Sequence, residues 1–195
     1  MLSAGCATQP SVPTTQAPTN IAAHQQHLAT LANLKNYALK GRLGVVTVKQ
    51  GFSGSIEWQH QTNKDNQTGL DNINVYSPVG GKLANISKNA NGVNMTDQKG
   101  NSVKANDAES LTENTLGFRL PLTGLSDWVI GRPTASKVMA SSWDAQGRLT
   151  KLKQDGWDIS YENYADSNGF MLPSKIVLKS EKVNLKLLVE KWSEL

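Results

Sequence analysis

The chain has 195 residues, of which 38% are hydrophobic, and a formal net charge of +4. That length suits one domain with a sizeable core, and no apolar run approaches the roughly 18 residues that a transmembrane helix needs. The basic excess is mild and spread along the chain without a like-charge block or a basic helix, so the charge footprint of a nucleic-acid-binding protein is missing and no nucleic-acid partner is expected. Frequent Gly and Pro point to a turn-rich, β-dominated protein.

Cys6 is the single cysteine, which excludes an intramolecular disulfide. Leu2-Ser3-Ala4-Gly5-Cys6 has the form of a bacterial lipobox. In that motif a signal peptidase cuts before the cysteine, and the sulfur then carries a diacylglycerol; small residues before the cut let the extended chain fit the peptidase. Residues 1–5 are then expected to be the remnant of a lipoprotein signal peptide, and Cys6 the lipid anchor. Residues 7–20 are rich in Pro, Thr and Gln and carry no charge. Such a segment cannot bury enough apolar surface to fold, so 6–20 reads as a lipidated flexible tether and 21–195 as one folded domain.

From Ile21 the pattern becomes helical. Ile21, Leu28, Leu31 and Leu34 fall near helical spacing behind Asn20 as a candidate N-cap, predicting an amphipathic helix over 21–35. From Tyr37 period-two alternation takes over. Leu39, Leu43 and Val45 line one face of a first strand, interrupted by Gly41, and Phe52, Gly54, Ile56 and Trp58 line a second. Further strands are predicted over 71–77, 82–88, 92–97 and 102–106, the last two joined by the turn Gln98-Lys99-Gly100-Asn101. Residues 107–116 read as a helix capped by Asp107, and 123–130 as another, capped by Thr123 and stopped by Gly131 and Pro133. Strands follow near 137–143, 148–154, 157–163, 174–181 and 183–191, with turn signals at Asp144-Ala145-Gln146-Gly147 and Asp155-Gly156. Eleven strands at short spacing suggest a barrel or a strongly curved sheet. The helices must bury their apolar stripes, and covering an open barrel mouth would do so while leaving a cavity.

Catalytic chemistry is not evident. No G-x-S-x-G elbow occurs and the only cysteine is at the anchor, so no nucleophile–base pair is visible and an enzyme is not expected. No P-loop or G-x-G-x-x-G is present, so no nucleotide is expected to drive the protein. His60 reads as a solvated histidine at a strand end. His24 and His27 read as part of a polar helix face, with no neighbouring carboxylate or cysteine to complete a metal site. The acids read as solvated, in turns or beside lysines. Trp58, Trp128, Trp157 and Trp192 fall on apolar-facing positions, where they could serve as ordinary core or line a cavity for acyl chains.

Three stretches together resemble a known family: Leu34-Lys35-Asn36-Tyr37 leading into Gly41-Arg42-Leu43; Tyr76-Ser77-Pro78-Val79-Gly80-Gly81; and Leu120-Pro121-Leu122 through Asp127-Trp128-Val129-Ile130-Gly131. In this order and spacing, behind a lipobox and tether, they are similar to LolB, the outer-membrane lipoprotein localisation factor family, from about residue 28 to the C-terminus. The resemblance implies an incomplete, unclosed antiparallel β-barrel of about eleven strands with a helical lid. It implies a monomeric receptor on the periplasmic face of the outer membrane, with no cofactor beyond the covalent lipid on Cys6. The implied donor is a LolA-type periplasmic carrier, the implied clients are triacylated lipoproteins, and the implied acceptor is outer-membrane lipid. It further implies an acyl-chain cavity including Leu43, Ile56, Trp58, Trp128 and Trp157. It implies a protruding membrane-insertion loop, Pro78, Val79 and Gly80, where relatives commonly carry N-P-L-G. Other lipid-binding periplasmic lipoproteins and a glycan-binding surface lipoprotein are the alternatives; a shallow polar cleft would favour the second, a closed apolar cavity would exclude it.

Overall fold

The computed structural model describes residues 21–62, 69–105 and 122–194. Its backbone is one antiparallel sheet of eleven strands: β1 (Asn36–Thr47), β2 (Gly51–Thr62), β3 (Gly69–Tyr76), β4 (Lys82–Asn89), β5 (Gly92–Asp97), β6 (Ser102–Ala105), β7 (Val138–Trp143), β8 (Leu149–Gln154), β9 (Trp157–Ser167), β10 (Phe170–Lys179) and β11 (Val183–Ser193). Helix α1 spans Ile21–Leu31 and helix α2 spans Leu122–Trp128. All eleven strands expected from the alternation are present. The helix expected over 107–116 lies outside the described residues, as do Cys6 and the tether.

Neighbours in the sheet are neighbours in sequence except at one seam, where β1 pairs with β11, giving the order β6-β5-β4-β3-β2-β1-β11-β10-β9-β8-β7. The two edges are therefore β6 and β7, and the sheet is curled but unclosed. Alternation decides which face turns inward. Leu39, Gly41, Leu43 and Val45 of β1 are buried while Lys40, Arg42 and Val46 are exposed, and the same parity puts Leu185, Leu187 and Val189 of β11 and Ile56 and Trp58 of β2 on the concave side. That face forms a single apolar core.

Gly41 has a specific reason. At the seam the register slips between Lys40 and Gly41, and a Cβ at Gly41 would sit 2.1 Å from the Leu188 carbonyl oxygen. Gly41→Ala is expected to cost about 3 kcal/mol through forced backbone displacement. Gly44→Ala, whose methyl would come no closer than 4.0 Å to a neighbour, should be near neutral. Urea unfolding of both variants checks the difference.

Helix α1 ends at Leu31 rather than at 35. The Asn33 and Leu34 amides turn to the Thr30 and Leu31 carbonyls in a tight last turn, and Leu34 still reaches the core. The expected polar histidine face is not what forms. His24 stacks on Trp143 at 4.3 Å between centroids and donates from Nδ1 to the Gly147 carbonyl at 2.7 Å. His27 is buried edge-on to Tyr164, and its Nε2 has no partner among the described residues. Leu31, Leu34 and the strands around them exclude water from this side of α1, so a polar side chain there must be used structurally or stay neutral. Burial, and then the neighbouring His24, hold the His27 imidazole below its ordinary 6.5.

The unfolded chain therefore takes up a proton on His27 at higher pH than the folded chain. Stability contributed by neutral His27 is present above about 6.5 and declines as pH falls below it. The urea midpoint should drop between neutral pH and pH of about 5, and His27→Leu should flatten that drop. An equal drop in the variant would remove His27 as its cause.

Candidate functional site

The connection from β6 to β7 carries α2 onto the concave face. Leu122 and Leu125 of α2 face Leu43 of β1, Ile56 and Trp58 of β2, Ile73 and Val75 of β3, and Leu185 and Leu187 of β11. Together they surround a wholly apolar hollow of about 370 Å³, counting the part open to solvent. Three of the five expected cavity residues, Leu43, Ile56 and Trp58, meet here. Trp128 and Trp157 are buried but lie outside this lining. Trp128 closes α2 against β8, donating its Nε1–H to Gln154 Oε1 at 2.9 Å, and Gly124 leaves the room its ring needs one turn earlier. Trp157 begins β9, two strands beyond β11.

Helix α2 starts at Leu122, one residue ahead of the expected cap, and ends at Trp128, two residues short of the expected 130, with Gly131 turning the chain as expected. Gly131 has φ +79°; its amide bonds to the Trp128 carbonyl and the Arg132 amide to that of Asp127, the paired bonds of a Schellman stop. Arg132 Nε then donates to Asp127 Oδ1 at 2.7 Å. Two side chains from the sheet hold α2 down: Lys88 Nζ donates to the Leu122 carbonyl at 3.0 Å and the Tyr37 hydroxyl to that of Ser126 at 2.7 Å.

Beside the hollow sits a buried polar cluster. His60, expected to be solvated, is buried, and so is Asp71, against the expectation that the acids are solvated. Asp71 Oδ1 accepts from His60 Nδ1 at 2.6 Å and from Trp58 Nε1 at 2.9 Å; Lys88 Nζ stands 4.0 Å from Oδ2. Tyr37 stacks on the His60 ring at 4.9 Å. Burial first, then the Asp71 and Asp127 charges, push the Tyr37 phenol well above its ordinary range, so it stays a donor to α2. The signal was parity: His60 continues the inward series Ile56, Trp58, and Asp71 opens the series Ile73, Val75, with His60 and Asp71 directly paired across β2 and β3. Among the described residues no group of three or more His, Cys, Asp or Glu side chains could hold a metal ion.

The loop between β3 and β4 is a tight hairpin. The Gly80 amide bonds to the Ser77 carbonyl, the Ser77 amide to that of Gly81, and Gly80 adopts φ +89°. This is a turn followed by a left-handed bulge residue, which only Gly adopts without strain. Pro78 and Val79 form its tip, and Val79 is 94% exposed.

A curled, unclosed eleven-stranded sheet with an apolar concave hollow under a short helix defines a half-barrel of the LolA/LolB-like class. The solved structures agree on the fold: a LolA superfamily protein from Nitrosomonas europaea superposes with a TM-score of 0.55 over 88% of this chain and 93% of its own, at 9% identity. Within that class, residues 35–192 match the outer membrane lipoprotein LolB family, and the chain belongs to it. It is 33% identical over 190 residues to the outer-membrane lipoprotein LolB of Nitrosomonas europaea, covering 96% of this chain and 86% of the relative. It is 30% identical over 193 residues to that of Stutzerimonas stutzeri, covering 98% and 90%.

A hydrophobic fluorophore should bind the hollow saturably and alter tryptophan emission. Leu43→Asp or Ile56→Asp should weaken this at least about tenfold by placing a charge in an apolar lining, and Leu125→Gln should do so with less strain on the sheet. The control is Val46→Asp, on the outward face of β1. Undiminished binding in the folded inward variants would mean the probe sits elsewhere.

Proposed function

We propose that this chain is a lipid-anchored receptor at the periplasmic face of the outer membrane, which accepts triacylated lipoproteins from a LolA-type carrier and releases them into the bilayer. Membership of the LolB family supports the setting. The wholly apolar hollow under α2 is the observation that carries the reading, because it suits acyl chains and nothing polar. No nucleotide and no catalytic step enter it, and the receptor acts as a monomer.

The energetics favour such a route. Each CH₂ exposed to water costs about 0.8 kcal/mol, so a triacylated client must be covered throughout its passage. A hollow that binds the chains less well than a bilayer lets them run downhill from carrier to receptor to membrane. The enclosed space inside the hollow is only about 20 Å³, against roughly 300–1,000 Å³ for ordinary ligand pockets, so uptake requires α2 to move. Cys6 holds the receptor at the membrane but takes no part in exchange.

The exposed Val79 tip is assigned to release. Burying one Val in the acyl boundary contributes roughly 1.5 kcal/mol. That is too little to anchor the protein and enough to bias the hollow toward the bilayer. In a soluble Cys6→Ala background, which should still accept clients from the carrier, Val79→Glu should leave acceptance near normal while clients accumulate on the receptor and fail to enter liposomes. Val79→Leu should match the parent or exceed it. Scoring carrier-to-receptor and receptor-to-liposome transfer separately decides the matter; loss of the first step, or retention of the second, in the Glu variant overturns the role given to this loop.

A further inference from the structure

Antiparallel order sends five consecutive hairpins to one edge of the sheet: β5–β6, β3–β4, β1–β2, β10–β11 and β8–β9. The β1–β2 hairpin lies directly beside the β3–β4 hairpin, because β2 pairs with β3; two strand spacings separate their midlines, about 10 Å. Its tip is apolar too. Val48 is 89% exposed, and Val46, on the outward face just below, is 60% exposed. The turn is closed by Thr47, whose amide and Oγ1 both donate to the Gln50 carbonyl and whose Oγ1 accepts from the Gln50 amide. Val48 is thus presented on a pre-formed support, with little ordering cost on contact.

The first four of these hairpins also carry an exposed lysine each, Lys99, Lys82, Lys49 and Lys182 in sheet order, whereas the fifth turns on Asp155-Gly156. None of the four forms an ion pair within 4 Å among the described residues. Of the three acids in these turns, Asp97 is occupied by its own turn, accepting from the Lys99 and Asn101 amides and the Asn101 side chain, Asp155 accepts from the Ser136 hydroxyl at 2.7 Å, and Glu181 is exposed beside Lys182. The described connections at the opposite edge, Ala90-Asn91, Asn168-Gly169 and Asp144–Arg148, present no large exposed hydrophobic residue. Exposed valine tips and a row of lysines therefore share this edge, and no large exposed hydrophobic residue stands at the described connections of the other.

We infer that this edge is a two-pronged docking surface for an anionic phospholipid bilayer, with Val48 inserting beside Val79 and Lys49, Lys82, Lys99 and Lys182 meeting the headgroup phosphates. The inference rests on the membrane role given above to Val79, and adds a second insertion point and a lipid charge preference. An exposed valine that enters the acyl boundary strengthens partitioning about tenfold, and a lysine near an anionic surface about fivefold. Two valines on separate hairpins also fix the orientation of the sheet edge, which a single tip cannot do.

The test uses the full chain carrying Cys6→Ala, sedimented with phosphatidylcholine vesicles made with and without phosphatidylglycerol. The parent should bind the anionic vesicles more tightly, and added salt should remove that preference. Val48→Asp should weaken binding to both vesicle types about tenfold. Lys49→Gln with Lys182→Gln should weaken only the anionic binding, by an order of magnitude or more, whereas Lys191→Gln near the far end of β11 should have no effect. Thermal unfolding of each variant should match the parent. If Val79→Glu abolishes binding while the Val48 and lysine variants bind like the parent, the single-tip reading stands and the two-pronged surface is overturned. If none of them changes binding, both fall. If the lysine variants bind vesicles normally but slow acceptance from the carrier, the edge docks an acidic protein and the lipid assignment is wrong.

Discussion

β6 and β7 follow one another in sequence yet lie at opposite ends of the sheet, so the chain between them must cross a concave apolar face that no further strand covers. A closed barrel would have no free edges and no such crossing. Here the crossing places a helix over the middle of the sheet, where Leu122 and Leu125 meet β1, β2, β3 and β11. The hollow, its cover and its position above the central strands all follow from leaving one barrel unclosed. The apolar character of the lining follows from alternation, because every strand that passes beneath α2 turns its aliphatic or aromatic residues the same way.

A seven-residue helix is not stable on its own in water. Its attachments are therefore informative. They come from Lys88 and Tyr37 on one side and Gln154 on the other, each a side chain rooted in a strand. Behind the first two stands Asp71, a buried carboxylate whose desolvation is offset by His60, Trp58 and Lys88. Displacing α2 breaks a few side-chain bonds and unpairs no strand. The sheet can stay rigid while its cover moves, a division of labour suited to a protein that must admit and discharge bulky chains.

Most of the sheet was legible in the sequence because a half-buried antiparallel strand writes its own period into the chain, and Gly-bearing turns mark where it ends. Strand β7 was found from its turn and length although its residues are largely exposed. The end of α2 was legible through Gly131 and Pro133. The hollow was only partly so: Leu43, Ile56 and Trp58 were placed by strand parity, whereas Trp128 and Trp157 are equally apolar and equally inward but belong to other parts of the core. Parity says which face a residue takes, not which neighbour it meets. The polar cluster was missed because His60 and Asp71 were judged by residue type, when their parity with Trp58 and Ile73 already turned them inward. Val79 was recognised through family resemblance, while Val48 in Thr47-Val48-Lys49-Gln50 carried no local signal; only the register shows that its hairpin stands beside Val79.

The seam between β1 and β11 has a consequence for how the molecule is made. The first strand of the sheet is completed by the last, so its central pairing joins residues as far apart as Ala38 and Ser193. Contacts of such sequence separation are slow to form and cannot begin before the C-terminal strand is available. A chain emerging from synthesis can pair β2 with β1 and with β3, but leaves one long edge of β1 open until β11 arrives. The complete native sheet is thus withheld until the last strand is made, and the two halves of the sheet are joined only through that final pairing.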